Sequence, residues 1–330
     1  MRSRAPFLIF VLAIYAFALS AGVRAQSWVT LVSGGDTNLR AISAARIPST
    51  AHIAIWASGS HDLILRSLDD GATWTRLSIP GQPDLDFRGI VAFDDKIAYL
   101  MSSGEGNKSK IHKTIDGGIN WELQYTDVNN AFFLDSIACS SPTNCFALGD
   151  PINGRFLLLQ TTDGHRWNPL PPQDLPPALP REGAFAARVL HTTNAGKDWT
   201  VSAVPIAADN ATSGIFSIAR SSVGSLAAVG GDYANPSVAS RVAAFSEDQS
   251  KTWQSPAQQP GGYRSAIVSQ DGPTLLAVGP GGSDISIDAG LHWKPFAALA
   301  LNALFALDSQ HVYAAGPRGT IAQFLLADSK

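Results

Sequence analysis

The sequence predicts an all-β protein in which one short unit recurs along most of the chain. Of 27 acidic residues only Glu105, Glu122, Glu182 and Glu247 are glutamates; Asp, with 29 Gly and 20 Pro, favours turns where Glu favours helices. An octet repeats: Ser67 opens SLDDGATW, Thr114 opens TIDGGINW and Ser286 opens SIDAGLHW, with looser copies from Thr161, Thr192 and Ser246. Six of the eight tryptophans close these octets: Trp74, Trp121, Trp167, Trp199, Trp253 and Trp293.

At the start, Arg2 and Arg4 precede an apolar run from Phe7 to Leu19, followed by Val23-Arg24-Ala25. That order of charged, apolar and small residues is expected of a secretory leader, residues 1–25, cleaved after Ala25. The run falls short of the roughly 20 apolar residues a membrane span needs, and no Cys stands at the cleavage site to carry a lipid. Residues 26–330 are then expected to be one exported domain, periplasmic or secreted. An uncleaved anchor is the other reading.

Each unit carries the same elements in the same order. A first strand begins at Leu39-Arg40-Ala41-Ile42, Phe87-Arg88-Gly89-Ile90, Leu134-Asp135-Ser136-Ile137, Ile215-Phe216-Ser217-Ile218, Tyr263-Arg264-Ser265-Ala266 and Leu301-Asn302-Ala303-Leu304, which align column by column. The third column holds only Ala, Gly or Ser. A second strand follows and ends at Gly59, Gly104, Gly149, Gly230, Gly279 or Gly316. A third strand leads into the octet. There Asp accepts turn amides, Gly takes positive φ, and Trp opens a fourth strand with a large ring to bury.

Two cysteines, Cys139 and Cys145, flank a Ser-Ser-Pro-Thr-Asn turn and are expected to close a hairpin. A disulfide suits an oxidising compartment; two packed thiols are the alternative. The seven histidines show no ligand spacing, so no metal and no cofactor are expected.

S-x-D-x-G-x-T-W is the Asp-box, or BNR, repeat of sialidase-like β-propellers, and the resemblance covers essentially all of residues 26–330. Within that group the chain is most similar to the photosystem II stability/assembly factor type. The resemblance implies blades around a central channel. It also gives Asp69, Asp116, Asp163, Asn194, Asp248 and Asp288 a structural role and makes none of them catalytic. From Trp28, which lacks an octet, the tryptophans are spaced by 46, 47, 46, 32, 54 and 40 residues. Seven units of about 44 residues give a seven-bladed propeller. Its last blade is closed by the N-terminal strand Trp28–Leu31, and its fourth is degenerate, because six prolines fall between Trp167 and Thr192. Six blades with an insertion is the competing arrangement.

A net charge of −3 gives no basic excess for nucleic acid. First strands start, and second strands end, on one face. Arg40, Arg88, Asp135, Arg264 and Asn302, with Asp150 and Asp232, are therefore expected around one mouth of the channel. The resulting expectation is a monomeric, non-catalytic binding or assembly scaffold for a protein or peptide of the cell envelope, acidic in character, with an acidic glycan as the alternative ligand. A sialidase-like glycosidase is the rival function. Arg46-Ile47-Pro48 matches its arginine motif, but no glutamate is placed to serve it.

Overall fold

The computed structural model describes residues 26–82, 84–127, 132–179 and 187–326. The expected leader, Glu182 and most of the strand candidate Ala184–Ala187 lie outside them. Among the described residues, every sheet is antiparallel and the helical elements are three short 3-10 turns. The chain is an all-β propeller.

Six strands surround the channel: Leu39–Arg46, Asp86–Ala92, Leu134–Ser141, Ser213–Arg220, Ala266–Asp271 and Ala303–Ala306. They are the first strands of sequence units one, two, three, five, six and seven. Among the described residues unit four brings none. It forms a two-stranded sheet, Arg188–His191 with Thr200–Ala203. The expected seven blades are thus corrected to six. A blade needs an inner strand, and the described residues of the proline-rich stretch before Ala187 form the two-residue strand Asn168–Pro169 of unit three and a 3-10 turn at Pro172–Asp174. That stretch is nonetheless anchored. Leu175 is buried, Ala178 N–H donates to Gly154 O at 3.0 Å, and Arg155 reaches Pro172 O.

The ring closes through the chain ends. Gln26–Val32 pairs with Ile321–Leu326 and becomes the outer strand of unit seven, with Trp28 opposite Phe324. Trp28 lies against Phe296 and Phe324 and donates to Ser283 Oγ at 2.9 Å.

The core lies between neighbouring sheets, not within any one of them. Trp56 of unit one packs with Phe87, Ile90 and Leu100 of unit two; Tyr99 and Met101 of unit two pack with Ala147 and Leu159 of unit three. Each fully buried aromatic ring of this kind is worth about 1.5–3 kcal/mol of transfer free energy.

The octet turns share one pattern of bonds. Ser67 Oγ and Thr73 N–H both donate to Asp69 Oδ1 at 2.8 Å, and Gly71 N–H donates to Ser67 Oγ at 2.9 Å. Trp74 Nε1 donates to Gly71 O at 3.0 Å. Asp116, Asp163, Asn194, Asp248 and Asp288 accept amides of their own turns in the same way. Hydrogen bonds from Thr73 and Ser67 hold the Asp69 carboxyl down at about 2. Strand direction places these turns on the face opposite the mouth. Cys139 and Cys145 lie toward that face as well, directly opposed across their hairpin with Cα atoms 4.0 Å apart and joined as a disulfide.

Candidate functional site

The mouth is made by a backbone irregularity repeated in four units. In unit one Leu39 pairs with Gly59 and Ala41 with Ser58, so Arg40 is left off the ladder. Arg88, Asp135 and Phe216 are skipped in the same way. A bulged residue leaves the alternation of the strand, and here each re-aims its side chain at the channel entrance. The second-strand glycines make room for it. A Cβ on Gly59 would stand 2.2 Å from Asn38 O, and one on Gly230 1.9 Å from Gly214 O. In units one, three and five the carbonyl that enters the bulge lies directly over the glycine, whereas Gly104 of unit two meets the Lys108 side chain.

Two concavities open here. The channel holds a cavity of about 300 Å³ lined by all six inner strands, Arg40, Arg88, Asp135 and Asn302 among its residues. A groove of about 650 Å³ adjoins it over units one to three, with His61, Asp84, Asp86, Arg88, Glu105 and Lys108 along it.

Charge is divided around the rim. Asp86 sits between two arginines: Arg88 Nε donates to Oδ2 at 2.8 Å, and Arg40 Nε lies 3.5 Å from Oδ1. Arg40 Nε is shielded from solvent yet has no hydrogen-bond partner. The Arg88 guanidinium stands 5.3 Å over the Phe133 ring. Both arginine side chains stay accessible, 37% and 40% exposed. On unit three, Asp135 and Asp150 share a hydrogen bond. Crowding by the surrounding strands, and then the charge of Asp150, push the Asp135 carboxyl up to about 7, against the pull of Arg88. Burial raises Asp150 as well.

Two expected residues, Arg264 and Asp232, take other positions, and Asn302 is engaged where it stands. Arg264 is 2% exposed, and its Nε donates to Asp284 Oδ2 at 2.5 Å in a buried ion pair that also spans Nη2. It is not presented to a ligand. Asp232 is clamped by Thr212 Oγ1, Asn210 Nδ2, Asn235 Nδ2 and the Ala234 amide, which hold its carboxyl far below the usual range. Asn302 lines the channel but spends its amide on Asn38 Oδ1 and Leu39 O, stitching unit seven to unit one.

A feature absent from the expectation lies across the channel from the arginines. Phe216, Tyr233 and Tyr263 form an edge-to-face cluster, with centroids 4.9 Å apart for Phe216–Tyr263 and 6.0 Å for Phe216–Tyr233. Phe216 and Tyr233 are exposed, whereas Tyr263 is buried. Phe216 stands in the same column as Arg40 and Arg88, so the alignment of the first strands held the signal that would have found it.

Among the described residues the arginine motif and the glutamates Glu122 and Glu247 do not meet. Arg46 is bound to Asp308 at 2.6 Å on the face opposite the mouth, Glu122 stands on an outer strand, and Glu247 lies in an octet turn.

No family model matches the chain. A relative from Synechococcus sp. (strain CC9902), Photosystem II assembly lipoprotein Ycf48, is 36% identical over 80 residues, 23% of this chain and 22% of the relative's length. A solved structure of YCF48 bound to D1 peptide superposes over 92% of this chain and 97% of its own, with a TM-score of 0.63 and 13% identity. YCF48 from Cyanidioschyzon merolae covers 90% of this chain and 98% of its own, with a TM-score of 0.59 and 15% identity. At those identities the structural likeness is one of fold. The chain resembles β-propellers of the photosystem II assembly-factor type in both sequence and fold.

Proposed function

We propose that this propeller is an exported, non-catalytic scaffold that captures a peptide segment of a client protein at the channel mouth. One observation carries the reading. Identical bulges in four separate units aim Arg40, Arg88, Asp135 and Phe216 at one entrance, and the most confined donor among them, Arg40 Nε, is unsatisfied. A carboxylate of the segment would bridge Arg40 and Arg88, since guanidinium groups take carboxylates in bidentate fashion. An apolar or aromatic side chain would lie on Phe216 and Tyr233. The ligand is therefore acidic next to the arginines and apolar across the channel. Octet aspartates, bound within their own turns, serve the fold and not the ligand.

The binding of D1 peptide by a YCF48 of the same fold supports a peptide client. Export is supported by the order of residues 1–25 and by the disulfide, a bond that persists in oxidising compartments. The test is fluorescence anisotropy with labelled D1 peptide and with peptides pairing an acidic and an aromatic residue. Saturable binding that Arg40→Ala/Arg88→Ala abolishes, with melting temperature unchanged, is the expected result. Binding that survives this double substitution removes the mouth from the reading, and turnover of a fluorogenic sialoside would favour the glycosidase.

A further inference from the structure

The groove of about 650 Å³ is larger than the channel cavity of about 300 Å³, and the two meet at Arg88, which lines both. One part of its wall is the turn between the second and third strands of unit one. There His61 and Asp62 both take left-handed backbone, with φ of 57° and 55°. The corresponding turn of unit three carries Asn153 and Gly154, the residues such a turn favours. His61 and Asp62 are held in this costly conformation by the next unit. Asp62 N–H donates to Leu85 O at 3.0 Å, and Asp62 Oδ1 accepts the Leu85 amide at 2.9 Å. That clamp sets His61 beside Asp84, with Nδ1 3.2 and 3.3 Å from the two carboxylate oxygens. Asp84 is thus oriented by one donor and, at 65% exposed, stays open to others. The turn of unit two supplies Glu105 and Lys108. Among the described residues the exposed Glu105 carboxylate meets no hydrogen-bond or ion-pair partner. The Lys108 stem folds back over Gly104, where a Cβ would stand 2.9 Å from Lys108 Cβ. Asp86, the third carboxylate of the groove, is already shared by Arg40 and Arg88.

We propose that the groove takes the part of the client segment that runs outward from the mouth, and that it selects an arginine or lysine there, held by Asp84 and Glu105. This preference depends on the capture proposed at the mouth, because the segment enters the groove past Arg88. Charge sets the class of side chain. With Asp86 neutralised by its two arginines, two carboxylates face one ammonium, so a cationic head group is favoured. A long basic side chain also suits the rest of the lining, since its stem can lie on the Phe133 ring while its head reaches the carboxylates. Leu85 and Phe133 are the apolar side chains among the lining residues, which is too few for an apolar small molecule. The client is then read in a fixed order across the face. An apolar or aromatic residue lies on unit five, an acidic residue at Arg40 and Arg88, and a basic residue over units one and two. A segment of the same composition in another order does not meet these three places.

The test is fluorescence anisotropy with three labelled peptides, each carrying one aromatic residue and one glutamate. The first has arginine a few residues beyond the glutamate, away from the aromatic residue. The second has glutamine at that place, and the third has the arginine moved between the other two residues. The first should bind about fivefold more tightly than the second, and the third should show no such gain. Asp84→Asn/Glu105→Gln, both at exposed positions, should bring the first peptide down to the affinity of the second. The same variant should leave the second peptide's affinity and the melting temperature unchanged. Asp84→Lys/Glu105→Lys should reverse the preference, favouring a peptide with glutamate in place of the arginine. Equal affinity for the first two peptides overturns the proposal, as does a preference that survives Asp84→Asn/Glu105→Gln. Loss of the preference alone removes the groove and leaves the mouth standing, whereas absence of binding by all three peptides removes both.

Discussion

The boundary between units one and two and the boundary between units three and five are written in the same columns, yet one is sealed and the other is open. At the first, Trp56, Phe87 and Ile90 interlock, and Ser43 Oγ accepts the Ala92 amide. At the second, Leu148 of unit three and Ile218 of unit five are 39% and 44% exposed. Nothing in Ile218 itself differs from Ile90. Burial in a propeller belongs to a pair of neighbouring sheets, so the exposure of a residue depends on what the next unit sets against it.

The largest expected effects fall on the sealed side. Phe87→Ala should cost about 3–5 kcal/mol in urea unfolding, through lost transfer energy and the cavity left behind. A loss under 1 kcal/mol would mean that the sealed boundary is not what holds the ring. Arg264→Ala should cost a comparable ~3–5 kcal/mol, because it strands the buried Asp284 charge, whereas Arg40→Ala in the same column should stay within about 0.5 kcal/mol. Equal effects would contradict the different placements of these two arginines.

Acid should also act on the sealed side. His112 of unit two is fully buried beside Phe87 with neither ring nitrogen bonded, and burial, then Lys110, lower its pKa to about 4. The unfolded chain therefore binds the proton more tightly. Stability from this residue is full above about pH 6.5 and is lost as pH falls toward 4, by up to about 3 kcal/mol. Urea midpoints measured from pH 7.5 to 4.5 should drop accordingly, and His112→Leu should flatten the drop. A profile unchanged by the substitution would refute the assignment.

Smaller effects are expected elsewhere. Asp69→Ala removes bonds within one exposed turn and should lower Tm by about 2–4 °C without altering peptide capture. Ile218→Ser should change stability by less than about 0.5 kcal/mol, the counterpart of Phe87→Ala across the open boundary. A large loss there would mean that Ile218 is packed in the free protein.

Much of this was legible in the sequence. The octets and the aligned first strands give an all-β ring, and the second column of those strands supplies Arg40, Arg88, Asp135 and Asn302 to the lining of the channel. Blade number was not legible, because counting tryptophans registers unit four's outer hairpin and cannot register an inner strand that is missing. Arg264 was misplaced because its fate depends on Asp284, a carboxylate in the third strand of its own unit that no repeat column marks. The aromatic cluster went unseen for a different reason: Phe216 read as an apolar strand residue until the bulge turned it outward.

The strand Gln26–Val32 sets the order in which the molecule can be finished. Gln26 stands opposite Leu326, so the earliest described segment to be synthesised has its partner at the other end of the chain. Closing a loop of that length costs about 5 kcal/mol of chain entropy, which only an already assembled ring of blades can offset. Ring closure is therefore expected to come last, and an unlatched ring leaves two strand edges, those of Gln26–Val32 and Ile321–Leu326, open to other molecules. A chain released before Ile321–Leu326 is made cannot latch, whatever the quality of its blades.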